Sequence, residues 1–235
     1  MTALEPVGYA HADTALTGWL ARPAGSARGA FVIFPTIANA NAHMQRRAQM
    51  LAAAGFVAMI ADFYGEPIRD FAHAGSLGGE LRKDVDHFRA RLSAAIAALR
   101  AHDATTGLQL GAAGYCMGGQ AALEMARVGE DLALVASFHG LLTTDRRAHA
   151  AVRPRLLVCH GDSDPLVPRR DVQAFWEEMD AVGANWHFHA YAGVRHGFTD
   201  PESDTRGLPA IGYDASADRQ SWAAFMHLCD EVFPA

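Results

Sequence analysis

Apolar positions along the chain fall into short blocks of two alternating kinds. Residues 30–34 (Ala-Phe-Val-Ile-Phe) and 56–61 are continuous apolar runs of strand length. That is the pattern of strands covered on both faces. Residues 108–113, 132–138, 156–160 and 186–191 also read as strands. Helical spacing fills the intervals. Residues 42–54 put Met44, Ala48, Leu51 and Ala52 on one side, with Gly55 as the stop. Residues 81–101 read as one long helix whose Arg82, Lys83, Asp86, Arg89 and Arg100 form a solvated face. Helices over 172–182 and 216–232 follow, the last offering Trp222, Phe225, Met226 and Val232 to the core. An antiparallel pair, 7–10 with 16–22, opens the chain and ends at Pro23 and Gly25. The alternation predicts an α/β fold with a mostly parallel central sheet and helices on both faces. No composition shift or repeat divides residues 1–235, so one domain is expected. The main irregular stretch carries Gly207, Pro209 and Gly212, and a lid-like loop over 199–215 is expected there.

Composition narrows the function. Of 235 residues, 50% are hydrophobic and 20% charged, an ordinary soluble balance. A net charge of −6 with no basic run argues against a nucleic-acid partner. No apolar run approaches the ~20 residues of a membrane span, so no membrane partner is expected. The first residues lack a basic region followed by an apolar one, so no signal peptide is expected. Three cysteines (Cys116, Cys159 and Cys229) are too few and too odd for a disulfide framework and suit a reducing, cytoplasmic setting. Cys159, inside an apolar strand, and Cys229, in the last helix, read as buried hydrophobes.

Cys116 is different. Gly114-Tyr115-Cys116-Met117-Gly118-Gly119 reads as a G-x-S-x-G turn with cysteine in place of serine. A strand pattern precedes it and strong helix formers follow. A nucleophile on such a turn sits at strained backbone angles, and its neighbours must lack Cβ atoms where helix crosses strand. At a helix start, the dipole and free N–H groups favour the thiolate. The nucleophile needs a base, and the base an acid to orient it. His160-Gly161-Asp162-Ser163-Asp164-Pro165 follows a strand and supplies Asp164, with Asp162 as a competitor better suited to forming the turn. Gly193-Val194-Arg195-His196-Gly197-Phe198 follows the last strand and supplies His196. The order cysteine, aspartate, histidine, each at a strand end, predicts a triad. The Met117 N–H would be one oxyanion donor, and the loop 35–39 would provide the second. His139 follows a strand and is a candidate for lining the cleft. His187 and His189 share one strand face, but no third ligand stands at metal-binding spacing, so no metal is expected.

These segments resemble the dienelactone hydrolase family over residues 10 to 233. The likeness rests on the cysteine turn, His-Gly-Asp-Ser-Asp-Pro-Leu-Val-Pro, His-Gly-Phe, and Asp62-Phe63-Tyr64-Gly65, which is similar to the family's Asp-Leu-Tyr-Gly. The resemblance implies an α/β-hydrolase fold and no cofactor. It implies a Cys116–His196–Asp164 triad, with oxyanion donors at Ile37 and Met117, hydrolysing an ester or lactone through a thioester. Pocket candidates are Thr36, Tyr64, His139, Phe198 and Asp200. Two positions depart from the family. Thr36 stands where it carries a glutamate that helps activate the cysteine. Asp200 stands near where enzymes acting on dienelactone place an arginine, and its charge would repel a substrate carboxylate. A neutral ester, lactone or thioester is therefore expected as the small-molecule substrate, rather than an anionic dienelactone. The missing glutamate also motivates two alternatives: a non-hydrolytic ligand-binding or thiol-sensing protein, or a thioesterase or acyl-transfer enzyme.

Overall fold

The computed structural model describes residues 4–234. Eight strands form one sheet: β1 (Glu5–His11), β2 (Thr14–Ala21), β3 (Gly29–Phe34), β4 (Phe56–Ile60), β5 (Leu110–Tyr115), β6 (Leu134–Phe138), β7 (Arg155–Gly161) and β8 (Trp186–Tyr191). Their spatial order is β1-β2-β4-β3-β5-β6-β7-β8. β2 runs antiparallel to β1 and β4, and every later pairing is parallel. The residues of β3 through β6 are all buried, which explains why the sequence shows continuous apolar runs there rather than alternation.

Helices cover both faces. On one face, α1 (Ala42–Ala53) and α6 (Ala215–Val232) bring Met44, Ala48, Leu51, Phe225 and Leu228 onto Phe31, Ile33 and Phe138. On the other, α3 (Val85–Arg100), α4 (Met117–Val128) and α5 (Arg169–Ala181) bury Phe88, Leu92, Leu123 and Phe175 against Val32, Phe34, Val135 and Val158. Each large apolar side chain so buried contributes about 1.5–3 kcal/mol. Cys159 and Cys229 are buried within the first of these cores, as expected, and all three thiols are free.

One element departs from the sequence reading. The expected helix over 81–101 is two helices, α2 (Phe71–Arg82) and α3, separated at Lys83 and Asp84. Asp84 ends the run because its carboxylate accepts the N–H groups of Asp86 and His87 and so starts a new helix. Most of α2 was missed because Gly75, Gly78 and Gly79 argue against helix, at about 1 kcal/mol each relative to alanine. Packing overrides that penalty: Gly78 lies so close to Ile37 and Met117 that a Cβ would press on both. The charged face is also less solvated than expected. Arg89 pairs with the buried Glu124 at 2.6 Å, and Arg82 turns toward a cavity.

Candidate active site

Every residue of the expected constellation sits just beyond the C-terminal end of a parallel strand. Thr36 and Ile37 follow β3, Cys116 follows β5, His139 follows β6, Asp164 follows β7 and His196 follows β8. A parallel sheet gathers such positions at one edge, whatever their separation in sequence.

Cys116 occupies the left-handed region at φ 57°, ψ −119°, a conformation costing a non-glycine residue on the order of 1–3 kcal/mol. Its glycine neighbours make that turn possible. A Cβ on Gly114 would run into the Gly118 carbonyl, and one on Gly118 into the Phe34 carbonyl. The Cys116 sulfur lies 3.0 Å from His196 Nε2, and His196 Nδ1 lies 2.7 Å from Asp164 Oδ2. Asp164 Oδ1 accepts the Leu166 N–H at 2.8 Å, which fixes the carboxylate plane. Asp162, the competitor, is turned outward and paired with Arg169 at 2.6 Å.

Two backbone N–H groups, those of Met117 and Ile37, also hydrogen bond to the Cys116 sulfur. Burial pushes the Cys116 thiol up. The His196 charge, the His196 hydrogen bond and those two N–H groups together outweigh it and leave the thiol below its ordinary value. Burial likewise disfavours a charged His196. The neighbouring Cys116 charge and the Asp164 hydrogen bond prevail and raise it to about 10. Thiolate and imidazolium therefore stabilise each other. Asp62 braces the loop behind Ile37. Its carboxylate accepts from Asn39 Nδ2 and the Tyr64 and Gly65 N–H groups, while the Tyr64 hydroxyl donates to the Ile37 carbonyl at 3.1 Å.

Above the sulfur lies a cavity of ≈ 170 Å³. Its apolar wall comes from Ile37, Met117, Leu141, Leu166, Phe71 and Ile211. Thr36, His139 and Asp200 reach it as the sequence suggested. Two other candidates do not. Phe198 is fully buried behind the wall against His139 and Tyr191, and Tyr64 is held behind the Ile37 loop by its hydroxyl. Asp200 is not a free anion. Arg206 binds its carboxylate at 2.5 Å, so the repulsion expected of it is offset. Arg206 comes from the 3₁₀ helix Pro201–Arg206, and together with Ser203 and Ile211 it makes the segment 199–215 one side of the cavity. That segment returns to the site: Ile211 bridges to His196, and the Gly212 N–H donates to the His196 carbonyl at 3.0 Å.

Sequence reasoning passed over Phe71, Arg82, Leu141, Leu166, Arg206 and Ile211. Only Arg206 and Ile211 carried a usable signal, both lying in the irregular loop already singled out. Among the described residues, Arg82 has no carboxylate partner; its guanidinium reaches the Gly78 carbonyl and the Gln120 side chain. No group of three or more His, Cys, Asp or Glu placed to hold a metal ion occurs among the described residues. No described helix is long and apolar enough to cross a membrane.

Residues 16–233 match the profile of the dienelactone hydrolase family. A probable 2-oxo-3-(5-oxofuran-2-ylidene)propanoate lactonase from Bradyrhizobium sp. is 28% identical over 200 residues, covering 77% of each chain. An uncharacterised protein of Caenorhabditis elegans is 38% identical over 146 residues, 61% of this chain and 92% of that one. Among solved structures, the dienelactone hydrolase-like promiscuous phosphotriesterase P91 from metagenomic libraries superposes with a TM-score of 0.93 at 33% identity. That match covers 99% of this chain and 100% of the other. A thermophilic esterase from Thermogutta terrifontis shares the fold, with a TM-score of 0.72 at 18% identity over 98% of this chain and 92% of the other.

Proposed function

Because the chain belongs to the dienelactone hydrolase family and is a carboxylic ester hydrolase, we propose that it cleaves an ester or lactone through a thioester on Cys116. The observation that carries this reading is the convergence of His196 Nε2 and the Ile37 and Met117 N–H groups on one sulfur. The thiolate attacks the carbonyl carbon. The oxyanion takes over the two N–H groups that the sulfur holds in the free enzyme. His196 gives its Nε2 proton to the departing alkoxide as the C–O bond breaks, leaving a thioester. It then takes a proton from water, whose hydroxide attacks the thioester; carboxylic acid leaves and the thiolate returns. Asp164 holds the Nδ1 proton and so fixes which nitrogen works. This mechanism needs no carboxylate at position 36. Thr36 Oγ1 instead accepts the Ala38 N–H and shapes the oxyanion loop. The three free thiols support a reducing, cytoplasmic setting.

The apolar wall supports a substrate with an apolar body. With Asp200 neutralised by Arg206, the argument against a carboxylate-bearing lactone loses its main support, and Arg82 favours tolerance of an anion. The likeness to P91 favours a second activity on neutral phosphotriesters at the same site. Purified protein with p-nitrophenyl acetate tests the main reading, with Cys116→Ala and Cys116→Ser as references. Steady turnover lost in Cys116→Ala, with an acyl group trapped on Cys116 by mass spectrometry, is the expected result. A single stoichiometric burst without turnover would instead mark a thiol that acylates and stops. A p-nitrophenyl dialkyl phosphate assayed in parallel tests the second activity.

A further inference from the structure

We propose that His139 is a positioning residue that ties the nucleophile's turn to the loop carrying the base. The proposal rests on the Cys116–His196 reading above. The Cys116 N–H is shared between the Phe138 carbonyl at 3.0 Å and His139 Nδ1 at 3.1 Å. Since Nδ1 accepts, Nε2 carries the ring proton and donates it to Thr199 Oγ1 at 2.8 Å. Thr199 lies three residues beyond His196. Its carbonyl accepts from Arg46 at 2.9 Å and Arg47 at 3.1 Å, and its hydroxyl meets His43 Nε2 at 3.2 Å. One imidazole thus links the strained elbow to a segment that is itself fastened to α1.

The histidine is held firmly enough to do this. It is 1% exposed, its own φ is +41°, and its N–H donates to the Cys159 carbonyl at 2.8 Å. Its ring stands edge-on to His196, with centroids 5.1 Å apart, and to Phe198 at 5.2 Å. Burial, then the charges of His196, His43 and Arg47, hold it well below the usual histidine range, so it stays neutral and Nδ1 can accept. A neutral ring also places no second cation beside the His196 imidazolium. The 3.0 Å contact between sulfur and Nε2 joins two chain segments that approach each other only in the fold. His139 is the side chain bonded to both, and a small misplacement of reacting groups costs large factors in rate.

The test uses His139→Leu, His139→Asn, Thr199→Val and Thr199→Ser, with Cys116→Ala as reference. Four quantities are read: kcat and KM for p-nitrophenyl acetate, the pH profile of Cys116 alkylation by iodoacetamide, and thermal unfolding. His139→Leu is expected to lower kcat roughly ten- to hundredfold, with KM within about threefold, and to move the onset of alkylation to higher pH. Thr199→Val moves both quantities the same way by less, and Thr199→Ser restores them. His139→Asn keeps an acceptor near Nδ1 and tolerates the positive φ, so it matches Thr199→Val and decides the matter should the leucine variant fail to fold. The double variant His139→Leu/Thr199→Val is expected to be no worse than His139→Leu alone. A folded His139→Leu with unchanged kcat and alkylation profile, beside an inactive Cys116→Ala, would overturn the proposal and leave the nucleophile standing. Fully additive effects of the two substitutions would overturn it as well. Wild-type turnover in Cys116→Ala would instead defeat the reading on which it rests.

Discussion

The two halves of the site are built differently. The half at the sheet edge holds Cys116, Asp164, His196 and the Ile37 loop, each fixed by a strand end, with Cys116, His196 and Asp164 linked by contacts of 2.7–3.0 Å. The opposing half is α2 and the segment 199–215, which supply Phe71, Arg82, Arg206 and Ile211 from a glycine-rich helix and an irregular stretch. The groups proposed to react stand on the first half, where backbone geometry sets their separations. The groups proposed to sort substrates stand on the other, where side chains can be exchanged at little cost to the sheet. Chemistry and selectivity are therefore expected to fail separately.

Substitutions on the first half should have the largest effects. Cys116→Ala is expected to lower kcat for p-nitrophenyl acetate by at least ~10³-fold with the fold intact by circular dichroism. Asp164→Asn, which leaves the shape but removes the carboxylate charge and leaves one acceptor oxygen for both the Leu166 N–H and the Nδ1 proton, should cost roughly 10²–10⁴-fold in kcat. An ordinary thiol loses its thiolate below about pH 8.5. Cys116 sits lower, so its alkylation should set in at a lower pH than that of an ordinary thiol. His196→Asn removes the positive partner and should slow alkylation at pH 7 by about tenfold or more. A profile in His196→Asn that overlays the wild type would break the ion-pair account.

Smaller effects belong to the facing half and should appear as changes in preference. Arg82→Gln is expected to reduce kcat/KM for a carboxylate-bearing lactone by about threefold to tenfold relative to a neutral lactone of the same ring. Equal losses on both substrates would remove the reason for assigning Arg82 a part in selectivity. Leu166→Ser at the exposed mouth should weaken KM for longer acyl chains by a few fold and leave p-nitrophenyl acetate nearly unchanged, in keeping with the loss of one apolar contact.

The difference between the halves is also a difference in legibility. The buried parallel strands are legible to within two residues because a strand covered on both faces leaves an apolar run, and β8 matches its observed bounds. Cys116, Asp164 and His196 were readable because each type occurs in a short segment with its own turn chemistry, directly after such a run. Gly78 shows the opposite case. A glycine in a helix reads as a break, and only its contact with Ile37 and Met117 explains its presence. Asp200 shows a second. Its charge was legible, but its pairing with Arg206 depends on a 3₁₀ turn that no periodicity announces. Tyr64 and Phe198 are expected from the sequence to line the pocket, and packing puts both behind its wall instead.

The sequence by itself determined the sheet, the order in which cysteine, aspartate and histidine come to its edge, and the strained turn at Cys116. These are local matters of burial, backbone freedom and helix starts, written in consecutive residues. Tertiary structure decided what surrounds the sulfur: which N–H groups reach it, that Arg206 cancels Asp200, that Arg82 faces the cavity, and that His139 joins Cys116 to Thr199. Each of those contacts joins residues from different elements, and only the closed fold sets the distance between them.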